Sequence, residues 1–565
     1  MAHWDELPAE IRLMIWEHVA DSKPEFCGLK SLPKNQRAEP SLATLATVSR
    51  EWQYYFETVT FSRLALRLDS NDFKSLSSAV TGTHREPLVR HISISVDDYG
   101  KWPFSDSSGA LRLTRPVSLS KAMECLFLCL QKWQSSTHPG LTLELCVSYW
   151  QSLHGLPGQD APAEGGWGRL PMAPVVTSLI LPQREPPIMH GRQFRYLFAA
   201  SPRLESFRWE TSRRDFDPPF INRSIGREME NWVGAPPPET GLAFFQRLSS
   251  TVKSISLFSD ERLFARFGED SALSRFGCAE FYRWISMALA RRDNTQLKHL
   301  SICLMTDAST LLDIALQIIT HQEWEKGVLS SRLFRSDTRR PQRLAAARLC
   351  HEDAATRLRD APVDHPNWER LETLTLKCTL LAPSSKEEEA DAAAAQINGL
   401  ILKAGQLAKR SLPKLRTLEI WNGANPSNTD PYFPYPRHWE GYGFIFRYTL
   451  SAPPPPPKIR EENRNTMPTW RSSLALLEFK SSWHFTPSEE ILAIWEEVAA
   501  MQTRQLKVSV EYVDGFKTGG CLAVMKELVT RKLVVSGQAW NQIQTNGITG
   551  PRAGPQVNFN HILYI

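Results

Sequence analysis

No stretch of this chain is apolar for the 18 or so residues that a bilayer crossing takes, so no membrane partner is expected. Its first residues, Met1-Ala2-His3-Trp4-Asp5-Glu6, lack the basic start and apolar run of a secretory leader. Charge of one sign is lacking too: 66 basic against 61 acidic residues over 565 positions leave only +5, too weak a bias to call for nucleic acid. The nine cysteines are scattered, with no CxxC pair and no Cys–His spacing suited to zinc, which excludes a disulfide framework and a zinc finger. Cys125 and Cys129 lie one helical turn apart among Leu126, Phe127, Leu128 and Leu130 and read as buried helix. Free buried thiols fit a reducing compartment, so cytoplasm or nucleus is expected.

Catalytic signatures are missing as well. The chain has no GxxxxGK[ST] loop, no GxGxxG after a strand, no GxSxG elbow and no HExxH. His351-Glu352-Asp353 beside Cys350 falls in a stretch dense in arginine, where a solvated helix face is the simpler reading. Arg332, Arg335, Arg339, Arg340, Arg343 and Arg348 interleave with acidic residues and read as a salt-bridged surface. No catalytic residue, cofactor or metal is therefore expected.

Apolar periodicity is what the chain does have. Leu7, Ile11, Met14, Ile15 and Val19 recur at spacings of three and four after a proline at Pro8, tolerated at a first helical turn because its missing N–H would be unpaired there. Leu42, Leu45, Val48, Trp52 and Phe56 repeat the device. Two such helices within about sixty residues bury little core by themselves, so part of this apolar surface is expected to meet another chain.

Leu7-Pro8-x-Glu10-Ile11, followed by Val48-Ser49-Arg50-x-Trp52, resembles an F-box, closest to those of filamentous fungi. The resemblance covers about a tenth of the chain and departs from the family in a long proline-bearing insertion, Asp21 to Pro40. It implies a helical module over residues 1–65 that docks a Skp1-like adaptor, and through it a cullin, in an SCF ubiquitin ligase. Carried over by position, Leu7, Pro8, Ile11, Ile15, Val48 and Trp52 are its partner-binding or packing residues. Trp52 is the expected internal anchor, and Leu7 and Pro8 the expected contacts.

Beyond the helices a short pattern recurs: apolar, two residues, apolar, one residue, apolar. It occurs at Val89/Ile92/Ile94, Val176/Leu179/Leu181, Leu204/Phe207/Trp209, Val252/Ile255/Leu257, Leu297/Leu300/Ile302, Leu371/Leu374/Leu376, Leu415/Leu418/Ile420 and Leu474/Leu477/Phe479. Its last two positions alternate as a half-buried strand needs, and the first packs the turn leading in. Helix signals lie between: Ser120–Trp133, Phe281–Ala290, Ala308–His321, Ser385–Ala408 and a start at Thr486-Pro487. Alternating strand and helix argues for an α/β fold with parallel strands.

The pattern resembles the LxxLxL strand of leucine-rich repeats. Such repeats recur every 20–29 residues or so, and here only the step from Val176 to Leu204 fits, so the array expected over 85–565 is irregular and carries loop insertions. Leu153–Pro174, Thr211–Thr240, Ser330–Asn367 and the proline run within Ser451–Pro468 read as those loops. The resemblance places a protein substrate on the exposed strand residues Ser93, Ser178, Arg208, Ser256, Ser301, Thr375 and Glu419. Together these readings make the chain a substrate-recognition subunit of a ligase; a scaffold bound to the adaptor alone, or an α/β enzyme with a helical extension, are the alternatives.

Overall fold

A computed structural model describes chiefly residues 7–21, 45–67, 70–96, 119–147, 170–181, 191–211, 250–259, 296–320, 368–424, 442–450 and 474–540, with short breaks. Two compact units divide the chain: Met1–Asp215 with Gly550–Ile565, and Phe216–Thr549. The Asp21–Pro40 insertion beyond Asp21, the Phe281–Ala290 helix, the arginine-rich stretch and the proline run fall outside the described residues.

The first unit opens with helices α1 (Ala9–Asp21) and α2 (Arg50–Ser62). Ser49 caps α2, its hydroxyl accepting from the Trp52 N–H at 3.2 Å. Five parallel strands follow in chain order: β1 (Arg63–Arg67), β2 (His91–Val96), β3 (Leu141–Val147), β4 (Val176–Leu181) and β5 (Ser206–Thr211). Helices α3 (Ser70–Ala79), α4 (Leu119–Gln131) and α5 (Gly191–Ala200) lie between them. Register places Leu64, Ile92, Leu143, Leu179 and Phe207 in one row across the sheet, every member buried. Glu57 ties α2 to the segment before β2: its carboxylate accepts from Arg85 at 2.8 Å and Gln53 at 3.2 Å and meets His84 at 2.8 Å. Burial pushes that carboxyl up, but the bonds from Arg85, His84 and Gln53 outweigh it and hold it below the usual carboxylate range.

The second unit carries β6 (Ser254–Ser259), β7 (His299–Cys303), β8 (Thr373–Lys377), α6 (Glu387–Ser411), β9 (Thr417–Ala424), β10 (Tyr442–Leu450), β11 (Leu474–Ser481), α7 (Glu489–Met501), β12 (Gln505–Tyr512), α8 (Gly515–Glu527) and α9 (Arg531–Val534). Strands β6 to β9 are parallel neighbours, and β12 is parallel to β11. The expectation of parallel strands throughout needs one correction: β10 runs antiparallel between β9 and β11. Leu257, Ile302, Leu376, Ile420, Phe446, Phe479 and Val510 share one row across the seven strands.

All eight occurrences of the recurring pattern are strands, and five of them are entered through a turn of common geometry. Val89, Val176, Leu204, Leu371 and Leu415 each donate their N–H to the carbonyl three residues back, at 2.9–3.2 Å. The first apolar residue thus closes a turn as its side chain enters the core. Strands β1, β3, β10 and β12 lack that lead-in.

Helices α6 and α7 cover the face holding Leu418, Phe446 and Leu477. A Cβ on Gly405 would stand 2.7 Å from Cγ2 of Ile494, so the two helices approach as closely as they do because that residue is glycine. Trp495 is wholly buried there, its ring 4.8 Å from Tyr448 and 5.3 Å from Phe446. The Tyr448 hydroxyl is buried without a partner among the described residues, and burial pushes its pKa up to about 12. A phenol raised above its unfolded value contributes stability that is whole below about pH 10 and is lost as pH climbs toward 12. Urea melts of the wild type are therefore expected to weaken above pH 10, and a Tyr448→Phe variant to weaken less; equal slopes would show that Tyr448 is not the group responsible.

Candidate functional site

The six residues assigned by the F-box resemblance sit on α1, α2 and the turns before them. Leu7 and Ile15 are half-buried, Pro8 is exposed, Ile11 is 41% exposed and Val48 62% exposed. Met14, on the Ile11 face, is also 62% exposed. Trp52 is half-buried and packs between Trp4, at 5.7 Å, and Phe56, at 5.5 Å.

Other residues join the two helices. Trp16 is the one buried residue of α1 among those whose burial is described, and it meets Tyr55 at 5.0 Å and Trp4 at 5.9 Å. Arg12 donates to Glu51 at 2.8 Å, and the Trp4 indole N–H reaches the same carboxylate at 3.3 Å. Arg12 and Trp16 lie one turn apart on a face of α1 turned away from Ile11, Met14 and Ile15. The helix therefore packs through its aromatic face and leaves Ile11 and Met14 of its aliphatic stripe exposed. Sequence reasoning followed the aliphatic periodicity and missed Trp4, Trp16 and Tyr55; three tryptophans within the first 52 residues were the available signal.

The strand residues expected to meet a substrate are placed differently from that expectation. Ser93, Ser256, Ser301, Thr375 and Glu419 are buried, and Ser178 and Arg208 are half-buried. In the second unit the cause is local. Helices α8 and α9 lie on that face, where Phe516, Val524, Met525, Leu528 and Val534 form a second core with Phe258, Cys303, Trp421 and Ile445. Gly443 on β10 permits it, since a Cβ there would fall 2.4 Å from Cγ2 of Val524. The Ser256 hydroxyl donates to the Val534 carbonyl at 3.1 Å.

A buried polar knot fixes the same cover. Glu419 is wholly buried and accepts from Arg447 Nε at 2.7 Å, from the backbone N–H groups of Val529 (3.0 Å) and Thr530 (2.9 Å), and from the Thr530 hydroxyl. Arg447 also donates to Glu478 at 3.2 Å and to the Glu527 carbonyl. Burial works against the Arg447 charge, but Glu419 and Glu478 more than offset it and raise its pKa. Every group in the knot is spoken for within the fold, which marks it as a fastening.

One groove of 450 Å³ opens on the second unit, lined by Glu372, Lys414, Arg416, Met501, Gln502 and Arg504 among others. Its carboxylate is held 3.0 Å from Lys298, which lowers its pKa. Among the described residues no three His, Cys, Asp or Glu side chains gather as metal ligands, and no helix is long and apolar enough to cross a membrane.

The described residues thus make up a mixed α/β protein of mostly parallel strands with a helical N-terminal segment. Residues 247–536 match a family of unknown function, DUF6546, and the chain belongs to that family. The matched stretch, slightly more than half of the chain, takes in every described strand and helix of the second unit. No curated protein and no solved structure matches the chain.

Proposed function

We propose that this chain is the substrate-recognition subunit of an SCF-type ubiquitin ligase. Its N-terminal helices dock a Skp1-like adaptor, and an irregular leucine-rich-repeat-like array holds the protein substrate. The observation that carries the reading is the aliphatic stripe of Ile11, Met14 and Ile15 with Val48. It is spaced for burial, yet the helix packs through Trp16 instead and leaves Ile11, Met14 and Val48 in solvent. The stripe coincides with the residues through which the chain resembles an F-box. Mostly parallel strands in chain order, five of them entered through the same turn, suit a repeat array in which each unit packs on its neighbours. With α8 and α9 over one strand face, substrate capture falls to the remaining surfaces. Bond-making chemistry would belong to the ligase's other subunits, and residence in cytoplasm or nucleus follows from the role.

A pull-down of the full chain with a Skp1-like adaptor tests the reading. Wild type is expected to bind, and Ile11→Asp combined with Met14→Asp to weaken binding by tenfold or more, about 1.4 kcal/mol or above, because two apolar contacts are replaced by charges that must be desolvated. Exposed side chains carry little folding energy, so the variant should melt as wild type does. Failure of wild type to bind, or undiminished binding by the variant, would refute it. Co-purification of a cullin distinguishes the ligase role from a scaffold bound to the adaptor alone.

A further inference from the structure

Strand β12 ends its sheet, hydrogen-bonded to β11 on one side only among the described strands. The Val513 N–H donates back to the Ser481 carbonyl at 2.8 Å, so the odd-numbered residues of β12 aim their backbone groups at β11. Leu506, Val508, Val510 and Tyr512 aim theirs outward. Register puts the same four residues on the face of Ala475, Leu477, Phe479 and Ser481, the face α7 packs against. The apolar rows that are buried across the preceding strands are only partly covered at the edge by the described residues: Val508 is 38% exposed, Val510 51% and Tyr512 44%.

An open edge bearing an apolar stripe is a template for another strand. The sequence of β12 says which one. Leu506-Lys507-Val508-Ser509-Val510-Glu511-Tyr512 is complementary to itself when two copies run antiparallel about Ser509. Val508 then faces Val510 of the second copy, Leu506 faces Tyr512, and Lys507 faces Glu511, with each contact occurring twice. The four residues with outward backbone groups fall opposite one another, as hydrogen-bonded antiparallel pairs require. Centring on Lys507 or Glu511 would oppose like charges, and centring on Val508 or Val510 leaves both charges opposite neutral residues. Charges that merely guard an edge repel an incoming strand; these attract a second copy in one register. Lys507 is exposed, and Glu511 keeps 55% of its side chain exposed while lying 3.4 Å from Lys480, which Glu527 also holds at 3.1 Å.

We infer that the protein self-associates as a two-fold dimer through antiparallel pairing of β12 with β12 of a second copy, centred on Ser509. This rests on the edge alone and is independent of the adaptor-docking reading.

Sedimentation equilibrium of the full chain across micromolar concentrations reads the result directly. Wild type is expected to dimerise. Lys507→Glu alone, and Glu511→Lys alone, should each weaken dimerisation by about tenfold or more, since two opposite-charge contacts become two like-charge ones. Mixing the two variants should restore association as a heterodimer, because every cross-pair is then again opposite in sign; that recovery also shows that neither variant has lost its fold. A wild type that stays monomeric, a Lys507→Glu variant that dimerises as wild type does, or a mixture that stays monomeric would each overturn the inference.

Discussion

Replacing Glu419 by alanine is expected to cost the C-terminal unit about 3–5 kcal/mol, the range seen when one member of a buried ion pair is removed. The carboxylate has no solvent to fall back on and serves three segments at once: β9, which carries it; β10, through Arg447; and the turn between α8 and α9, through the N–H groups of Val529 and Thr530. Without it the guanidinium keeps Glu478 and the Glu527 carbonyl, but the buried Thr530 N–H and the part-buried Val529 N–H lose their acceptor. The damage should concentrate where the knot fastens α8 and α9. Urea unfolding followed by tryptophan fluorescence gives the energy, and amide exchange over residues 515–535 gives the location. Replacing both Glu419 and Arg447 by methionine should restore part of the loss, because the buried pair is then removed whole; Glu478 still loses the guanidinium, and the Val529 and Thr530 N–H groups their acceptor. Wild-type protection of residues 515–535 in Glu419→Ala would show that the cover holds without the knot.

Trp495→Ala should cost a similar amount, about 3–5 kcal/mol, through a different physics. The side chain is wholly buried against Tyr448 and Phe446, and its indole lies against the glycine that lets α6 approach α7. Truncation leaves a cavity walled by a helix on one side and aromatic strand residues on the other, neither free to collapse into it. Trp495→Phe keeps most of the contact and should cost clearly less. Glu496→Ala, one residue along on the exposed side of the same helix, should fall within about 0.5 kcal/mol of wild type. The comparison is made on the midpoint of urea unfolding. A loss below about 1 kcal/mol for Trp495→Ala would mean that the aromatic cluster is not what holds α7 to the sheet.

How far the fold was legible varied by element. Strands closed by a turn and a first apolar residue were found from the pattern, because the chain must bury three side chains there at set spacing. Strand β3 carries Leu141, Leu143 and Leu145 in plain alternation after Gly140, and β1 follows α2 without a turn, so neither shows the lead-in. Strand β10 is Phe444, Phe446 and Tyr448 in an antiparallel setting, which a search for parallel strands passes over. On α1 the aliphatic period gave the stripe, and the small core open to two helices gave the expectation that part of it meets another chain; that Trp16, on another face, does the packing was not legible. The buried placement of Glu419 was the largest departure. A glutamate alternating with core positions reads as solvent-facing until a later part of the chain is laid over it.

By itself, the sequence determined where apolar side chains must recur, and so where eight strands and several of the helices form; that is local, since spacing of two or of three and four decides which side chains share a face. It also carried the self-complementary order of charges in β12 and the residues through which the chain resembles an F-box. Only the tertiary structure decided which faces remain open. It turned Ile11 and Met14 of α1 outward, brought α8 and α9 onto the strand face holding Ser256, Ser301, Thr375 and Glu419, and left β12 with no second strand partner among the described strands. Exposure depends on what other segments arrive from far along the chain, and no local period records that.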